Sequence, residues 1–375
     1  MSGNSISRRR FLAQVSGASA ALAAGLGKAS AQAEPEKRNM QDGMTYRVLG
    51  GTNLLVSCLS FGGIQLQDDR LNVLEMAVDR GVNFVHTNRG YNGGNGIVSM
   101  GKFLKNNRDR VWVALKSAQQ RVDAASLDED LRALQTDHVD VLCVHDLTPE
   151  ELRSQEITDK FMALRDAGKV RFLNLTDHND PATRVKAAVE SGMYTSCQPS
   201  LQLPTLEGFL PVFKQALDAN VGIVVMKSMN NTNASPQEVV RAMLAGGATT
   251  VLKTLNSVEE ANAFLDGVKE EVAIADLHNG IEHGRRALAA GGVCTFCAAC
   301  TEHCPQNVAV SDIMRSYTYY YRNCSNPKLA REHYMEVAPT RMASACAGCD
   351  TCTRVCPQGL AVREMVQEAH ARILA

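Results

Sequence analysis

The sequence predicts an α/β protein in which a (β/α)8 barrel, or TIM barrel, is followed by a small cysteine-rich domain. Short apolar runs alternate with amphipathic runs over residues 46–255. Eight strand-then-helix units in about 220 residues is the number that such a barrel needs. Eight of the twelve cysteines fall into two tight runs near the C-terminus, which indicates a second module.

The composition is that of an ordinary soluble globular protein. The chain has 375 residues, enough for two or more domains, with 45% hydrophobic and 21% charged residues. Its formal net charge is -1, so nothing indicates binding to nucleic acid or to an acidic membrane surface.

The predicted strands are short runs rich in apolar and β-branched residues, and the predicted helices have apolar residues at three- and four-residue steps. The strand candidates are LLVSCLSF, NFVHT, VWVALKS, VDVLCVHD, VRFLNLT, TSCQPSL, GIVVMKS and TTVLKTL. The helix candidates include LNVLEMAVDR, ELRSQEITDKFMALRDAGK, PATRVKAAVE and FLPVFKQALDA. An open doubly wound sheet is the alternative, but SFGGIQLQD is not the Gly-rich phosphate turn expected after its first strand.

Residues 1–33 have the three parts of an export signal. Arg8, Arg9 and Arg10 precede Phe11-Leu12, an apolar stretch follows, and small residues stand at Ala31-Gln32-Ala33. The segment resembles the bacterial twin-arginine (Tat) signal. That resemblance implies export of the folded protein by the Tat translocase to the periplasm. No apolar segment is long enough to span a membrane once the signal is removed, and a disordered basic tail is the alternative interpretation.

The two cysteine runs, CTFCAACTEHCP (294–305) and CAGCDTCTRVCP (346–357), repeat the spacing C-x2-C-x2-C-x3-C-P. This doubled spacing is typical of bacterial ferredoxins with two [4Fe-4S] clusters, in which each fourth cysteine ligates the other cluster. A tetrahedral zinc site needs fewer ligands. We therefore predict a two-cluster ferredoxin domain over 285–375. Its expected ligand sets are Cys294, Cys297, Cys300 and Cys356 for one cluster, and Cys346, Cys349, Cys352 and Cys304 for the other.

Between the two runs, SYTYYYRNC places four tyrosines close together. We expect Tyr317, Tyr319, Tyr320 and Tyr321 to pack over the clusters and exclude water. Cys324, at the end of this segment, is expected to be a small buried side chain rather than a ninth ligand.

Polar side chains follow the second, third and fourth predicted strands, where a barrel carries its active site. They are His86, Tyr91, Lys116 and His145. Taken singly, each has a structural alternative, such as a barrel salt bridge for Lys116 or a hydrogen-bonded core histidine for His145.

Five motifs along the barrel resemble the aldo/keto reductase family: YRVLGGTNLLVSCLSFGG, GVNFVHTNRGY, LKS, VDVLCVHD and AGKVRFLNLTDHN. The resemblance implies a barrel over 44–275 that reduces a carbonyl group with hydride from NADPH. It assigns Tyr91 as the general acid, Lys116 as the partner that lowers its pKa, and His145 as the group that polarises the carbonyl. A subgroup of this family carries a C-terminal ferredoxin module, and the chain resembles it from Tyr46 to its end.

The chain departs from the family pattern at the lysine's partner and at the cofactor. His86 replaces the family's aspartate, so we expect His86 to be neutral or Lys116 to have another counter-ion. The family's G-x-S-N is here Asn174-Leu175-Thr176-Asp177, whereas Gln198 retains the nicotinamide-contacting glutamine. The final turn, Thr254-Leu255-Asn256-Ser257, lacks the family's 2′-phosphate-binding cation, and the nearest one is Lys253. Two [4Fe-4S] clusters are therefore the expected cofactors, and NAD(P)H stays an open alternative.

Three functions are compatible with these features. The first is an exported iron–sulfur oxidoreductase that passes electrons through its clusters, with a small carbonyl substrate or a redox partner protein. The second is a catalytically retired barrel that serves as the electron-transfer or docking subunit of a redox complex. The third is an NADPH-dependent carbonyl reductase with structural clusters.

Overall fold

The computed structural model describes residues 34–118, 121–145, 147–323 and 326–375. The predicted export signal (1–33) and Cys324 lie outside the described residues. Residues Glu36–Ala375 form one compact unit that contains both the barrel and the cysteine-rich module. None of the helices in the described part of the chain has the length and apolar composition needed to cross a membrane.

Eight parallel strands close into a barrel, which confirms the predicted fold class. The barrel is closed by pairing of its first and last strands, Leu59 lying opposite Val251. The strands are β3 (Leu59–Gly62), β4 (Phe84–Asn88), β5 (Trp112–Ala118), β6 (Val139–His145), β7 (Val170–Asp177), β8 (Ser196–Pro199), β9 (Gly222–Met226) and β10 (Thr250–Lys253).

The run LLVSCLSF forms two strands, not the single strand predicted. Its first part, β2 (Leu55–Ser57), pairs antiparallel with β1 (Tyr46–Val48) in a separate two-stranded sheet. The chain passes from one sheet to the other at Cys58, whose N–H donates to Thr45 (2.9 Å) and whose carbonyl accepts from Val251 (2.9 Å). The apolar side chains of this hairpin, such as Leu54, pack with Trp112 at the N-terminal end of the barrel.

Helices follow the barrel strands and cover the outside of the barrel. Asp123, Ser154, Ser235 and Ser257 cap four of them by accepting from a backbone N–H three residues later. The helices are α1 (Leu71–Asp79), α2 (Asn95–Asn107), α3 (Ala124–Leu134), α4 (Pro149–Leu152), α5 (Gln155–Asp166), α6 (Pro181–Ser191), α7 (Leu203–Asp218), α8 (Pro236–Gly246), α9 (Val258–Leu265) and α10 (Ile274–Ala289).

Helix α10 packs against α7 and α8. This helix therefore continues the outer layer of the barrel through residues 275–285, the interval between the two predicted domains. The predicted domain bounds themselves stay predictions.

The cysteine-rich module is helical and has an apolar core of its own, in which Ile313, Tyr334 and Val366 are buried. A short π-helical segment, Tyr319–Asn323, directly follows its second helix. Its helices are α11 (Ala299–Glu302), α12 (Val310–Thr318), α13 (Pro327–Met335), α14 (Thr351–Arg354) and α15 (Val362–Leu374).

This module lies on the C-terminal rim of the barrel. The loops after β4, β7 and β9 each contribute an asparagine to the contact: Asn92 accepts from the Lys328 ammonium (3.1 Å), Asn179 donates to Asp312 (3.2 Å), and Asn231 donates to the carbonyl of Cys294 (3.3 Å). Ile64, after β3, packs against the core of the module. The cysteine-rich module thus covers the end of the barrel where the sequence places the functional side chains.

Candidate functional site

The C-terminal ends of the barrel strands surround a cavity of about 130 Å³. The register places strand-end side chains at one level, for example Thr176 of β7 opposite His145 of β6 and Gln198 of β8. Five predicted site residues line the cavity: His86, Tyr91, Lys116, Thr176 and Gln198. The structure therefore brings most of the predicted site together, as expected for side chains at the ends of neighbouring parallel strands.

Side-chain contacts join the predicted residues of the cavity wall. The ring centroids of His86 and Tyr91 are 6.1 Å apart, and the Lys116 ammonium lies 5.3 Å from the centroid of the Tyr91 ring. The Gln198 amide nitrogen lies 3.4 Å from Nε2 of His86. These four residues form one connected group, which we call the Tyr91 group.

His86 is neutral at ordinary pH, one of the two outcomes expected for histidine at the aspartate position. Burial lowers its pKa to about 3, and the positive charges of Lys116 and Lys227 act in the same direction. The resemblance implies a lowered pKa for the tyrosine. Burial instead raises the pKa of Tyr91, with the nearby Glu336 carboxylate as the next cause. Tyr91 therefore keeps its proton and can donate it in a hydrogen bond.

Two predicted residues lie beside the cavity rather than on its wall. Asp177 is buried; it accepts from Arg184 (2.8 Å) and from the N–H of Asn179 (2.7 Å), so its carboxylate holds the loop after β7. His145 packs edge-on against His178, with ring centroids 5.4 Å apart. His178, which the prediction missed, is the histidine of this pair that lines the cavity.

The cysteine-rich module forms part of the cavity wall, which the sequence did not reveal. Tyr319, Leu329 and His333 form part of its wall. The Lys227 ammonium, just after β9, lies 4.4 Å from the centroid of the Tyr319 ring, whose centroid is 4.8 Å from that of His333. Burial lowers the pKa of His333 to about 4, although Glu336, 3.2 Å away, acts in the opposite direction. The wall of the barrel's cavity is therefore built partly by the second module.

The phosphate-binding end of the family's cofactor site is occupied by an ion pair. Lys253, the nearest cation predicted from the sequence, contacts Glu260 at 2.7 Å. The same carboxylate accepts from the backbone N–H of Asn256 (2.8 Å). A 2′-phosphate placed here would meet a carboxylate, and like charges repel.

The first predicted cluster set is gathered at the start of the module. Burial raises the pKa of Cys294 to about 12, and the neighbouring thiols of Cys300, Cys297 and Cys356 add to this rise. These are the four cysteines assigned together from the doubled spacing, including the one from the second run. Cluster binding requires deprotonated thiols, so the bound iron must overcome this raised pKa.

The second predicted set lines a separate small cavity: Cys304, Cys346, Cys349 and Cys352 share its wall. Thiolates are the donors that iron–sulfur clusters use, so both sets fit the groups predicted for them. No three His, Cys, Asp or Glu side chains within the described ranges stand close enough to hold one metal ion. The assignment of each cysteine to a cluster stays a prediction.

The tyrosines between the cysteine runs have three different environments. Tyr317 and Tyr320 pack against the module core that also contacts Cys294, Cys300 and Cys304, as expected for residues that shield clusters. Tyr319 reaches the barrel cavity. Tyr321 is partly exposed and donates to Glu368 (2.8 Å).

The profile of the aldo/keto reductase family matches residues 59–240, and that of a 4Fe-4S dicluster domain matches residues 293–361. Residues 59–240 are therefore similar to an aldo/keto reductase domain, and residues 293–361 to a 4Fe-4S dicluster domain. Both modules were predicted from their motifs, and the profile matches support both predictions.

A curated relative, L-galactose dehydrogenase of Arabidopsis thaliana, is 32% identical over 152 residues. The match covers 35% of this chain and 47% of the relative, so the chain spans about half the length of that protein.

Solved structures of low sequence identity share the barrel. The holo form of an aldo-keto reductase from Bacillus halodurans is 20% identical, with a TM-score of 0.56 over 68% of this chain and 99% of its own. An aldo-keto reductase from Klebsiella pneumoniae in complex with NADPH is 16% identical, with a TM-score of 0.51 over 64% of this chain and 95% of its own. At these identities the likeness shows the fold alone.

Proposed function

We propose that this aldo/keto reductase-like oxidoreductase passes electrons through two [4Fe-4S] clusters to or from a small carbonyl compound in the barrel cavity. One observation carries the proposal. Tyr319, Leu329 and His333 of the cluster module share a single cavity wall with His86 and Tyr91 of the barrel. A cluster module that only stabilised the fold would not need to build the wall of the site.

Conversion of a carbonyl to a hydroxyl group consumes two electrons and two protons, of which one proton goes to the oxygen and the other, from water, goes to the carbon. The clusters, when bound, supply single electrons. The chain's own residues bind the carbonyl oxygen: Tyr91 retains its proton because its pKa is raised, so its hydroxyl donates to that oxygen. The Lys116 ammonium on the same wall stabilises negative charge that develops there.

The proposal assigns no role to a nicotinamide cofactor. Sites for cofactors and drug-sized ligands usually have volumes of about 300–1,000 Å³, whereas this cavity has a volume of about 130 Å³. The ion pair of Lys253 with Glu260 also opposes a 2′-phosphate. In addition, NADPH is a cytoplasmic reductant that an exported enzyme would not be supplied with.

A second candidate function is an electron-transfer or docking subunit with a retired barrel. The neutral His86, in place of the family's aspartate, favours it. The NADPH-dependent carbonyl reductase is the third candidate, because Gln198 still lines the cavity. The docking subunit and the carbonyl reductase each predict a different result from the proposed function in the experiment that follows.

The test uses the mature, cluster-loaded chain under anaerobic conditions. Reduced clusters should be reoxidised by small carbonyl compounds, followed by visible absorbance. Tyr91→Phe should slow this reaction by at least about 100-fold, because a positioned general acid contributes that much or more. Tyr321→Phe, which removes a partly exposed hydroxyl, is the matched control and should keep the wild-type rate.

Three results would contradict the proposal. Reoxidation by carbonyl compounds at equal rates in wild type and Tyr91→Phe would exclude the acid role. Reoxidation only by a partner protein would favour the docking subunit. Stoichiometric binding of NADPH or NADH below millimolar concentration would favour the carbonyl reductase.

We further propose that the protein is exported folded to the periplasm, on the strength of Ser7-Arg8-Arg9 and the apolar stretch that follows them. Arg8→Lys combined with Arg9→Lys should keep the protein in the cytoplasm, measured by cell fractionation. Arg10→Lys lies outside the arginine pair and should be exported normally. Export of the double variant would rule out the twin-arginine route.

A further inference from the structure

We infer that Glu336 of the cluster module is the counter-ion of Lys116, in place of the aspartate that His86 replaces in the barrel. The role assigned to Glu336 rests on the proposed function, in which Lys116 stabilises the charge that develops on the carbonyl oxygen. Glu336 acts through Lys116 and not on the substrate, so it is a positioning residue. Three features of the module support this role: the packing of one helix on the barrel, the place of Glu336 at its end, and the charges around it.

Helix α13 of the module packs against the turn that begins at Tyr91. Near the start of the helix, the Lys328 ammonium donates to the side chain of Asn92 in that turn (3.1 Å). In its last turn, His333 lines the cavity together with Tyr91 and Lys116. The helix is therefore attached to the loop that carries the proposed proton donor, and its C-terminal end reaches the cavity.

Glu336 directly follows this helix and contacts its cavity residue. Oε2 of Glu336 lies 3.2 Å from Nδ1 of His333. Burial lowers the pKa of His333 to about 4, so at neutral pH this contact is a hydrogen bond from a neutral ring and adds no positive charge. A carboxylate is disfavoured at the end of a helix, where unsatisfied carbonyl groups carry partial negative charge. The position of Glu336 is therefore favourable only if cations lie near it.

Two cations act on the Glu336 carboxylate: Lys116 of the barrel and Arg315 of the module. Partial burial alone would raise the pKa of Glu336, but the hydrogen bond from His333 and these two charges outweigh it and lower the pKa to about 2. The carboxylate is therefore ionised at neutral pH. Its side chain is still 52% exposed, so solvent weakens the pairing relative to that of a fully enclosed aspartate.

The two cations differ in the partners that their own modules provide. Arg315 forms an ion pair with Asp312 on the same helix (3.1 Å). Lys116 belongs to a barrel in which His86 stands at the family's aspartate position, and His86 is neutral because burial lowers its pKa to about 3. The charge of Glu336 is therefore needed more at Lys116 than at Arg315.

Glu336 also acts on the proposed proton donor, since its charge helps to raise the pKa of Tyr91. A negative charge near both groups favours the ammonium form of Lys116 and the protonated form of Tyr91. These are the forms that stabilise a developing oxyanion and donate a proton to it. The module thus completes the charges of the barrel site in addition to carrying the clusters.

A double-mutant cycle measures the pairing without any turnover. Glu336→Gln and Lys116→Met are made singly and together in the mature, cluster-loaded protein, and denaturant titration compares their stabilities. The double variant should lose less stability than the sum of the single variants, because either substitution alone removes the pair. Glu332→Gln is the matched control: Glu332 lies one turn earlier and pairs with Lys328 (4.0 Å), so its loss should add to that of Lys116→Met. Additive losses for Glu336 and Lys116 would overturn the pairing.

Reoxidation of the clusters by a small carbonyl compound tests the consequence for the site. Glu336→Gln should lower the maximal rate about tenfold and leave the carbonyl concentration at half-maximal rate nearly unchanged, because the lost charge acts mainly in the transition state. Adding His86→Asp, which restores the aspartate of the family pattern, should recover most of the lost rate. Adding His86→Asn, the neutral counterpart, should recover none. Unchanged visible absorbance of the clusters would show that each variant is folded.

The role of Glu336 and the proposed function can fail separately. A wild-type rate in Glu336→Gln, no rescue by His86→Asp, or equal rescue by His86→Asn would overturn the role of Glu336 while carbonyl reduction by the wild type stands. If carbonyl compounds never reoxidise the wild-type clusters, the proposed function is wrong. The double-mutant cycle then still decides whether Glu336 pairs with Lys116.

Discussion

The two ends of the barrel both bury charged or polar side chains, but they satisfy them differently. At the N-terminal end, the fully buried carboxylate of Asp140 contacts Arg108 (2.9 Å) and Arg171 (3.2 Å), with Arg38 at 4.0 Å. It also accepts from the backbone N–H of Val113 (2.8 Å). Every one of these groups is provided by the barrel and its flanking segments.

At the C-terminal end, polar atoms of the cavity wall are left without a hydrogen-bond partner. Gln198, His178 and Ser228 each have one such buried atom among the described residues. A buried charge stabilises a fold only when its partners are in place. The comparison therefore teaches that the N-terminal end is built for stability, whereas the C-terminal end is arranged for a ligand.

The largest expected effect is at the N-terminal end. Asp140→Asn removes the carboxylate and leaves three arginine side chains around a neutral amide. The free energy of unfolding should fall by about 3–5 kcal/mol, the usual cost of breaking a buried ion pair. Denaturant titration measures this change, and the rate at which carbonyl compounds reoxidise the clusters should be unaffected in the folded protein.

Asp128→Asn is the matched control. Asp128 forms an ion pair with Lys169 (2.6 Å), but its side chain is 49% exposed. Such surface pairs contribute about 0–1 kcal/mol. If the two variants lost equal stability, the buried network would have no special structural role and the comparison between the two ends would be broken.

The next largest effect is expected where the module forms the cavity wall. Leu329 belongs both to the module core and to that wall. Leu329→Ala should reduce the free energy of unfolding by about 2–3 kcal/mol, because large-to-small substitutions in cores leave a void. It should also enlarge the cavity, so that larger carbonyl compounds reoxidise the clusters faster relative to smaller ones.

Leu217→Ala is the corresponding control, because Leu217 is half exposed on α7. Its stability should change by less than about 0.5 kcal/mol. If Leu329→Ala left the preference for small compounds unchanged, the module would not determine the size of the site. The C-terminal end would then be a barrel opening whose size the barrel alone determines.

The sequence predicted those site residues whose positions depend only on the strand that carries them. His86, Lys116 and His145 each lie in or at the end of a strand whose run is apolar, so their level in the barrel follows from the strand itself. The break at Cys58 was missed because LLVSCLSF is a continuous apolar run, and only the pairing partners on either side of Cys58 reveal two strands.

The remaining wall residues were missed for two different physical reasons. Lys227, Ser228 and His178 follow directly after β9 and β7, so inspection of every residue just after a strand would have found them. Tyr319 and His333 belong to another module. Their place over the cavity depends on how that module packs on the barrel rim, which no local pattern in the chain encodes.

The smallest effect at neutral pH is expected for His86→Gln. The pKa of His86 is about 3 in the folded protein, against 6.5 for the ordinary side chain. Above pH 6.5 neither the folded nor the unfolded state binds the proton. As the pH falls below 6.5 the unfolded state binds it and the folded state does not, so stability is lost. Removing this histidine should flatten the decline by up to about 1.4 kcal/mol per pH unit.

Denaturant titrations at pH 7, 6 and 5 measure this slope. His178 and His333 also have lowered pKa values, so a decline should remain in the variant. Equal slopes in wild type and His86→Gln would mean that His86 binds its proton equally well in the folded and unfolded states. The wall around His86 would then be as well solvated as the unfolded chain, and the C-terminal end would lack the buried polar environment on which the comparison of the two ends depends.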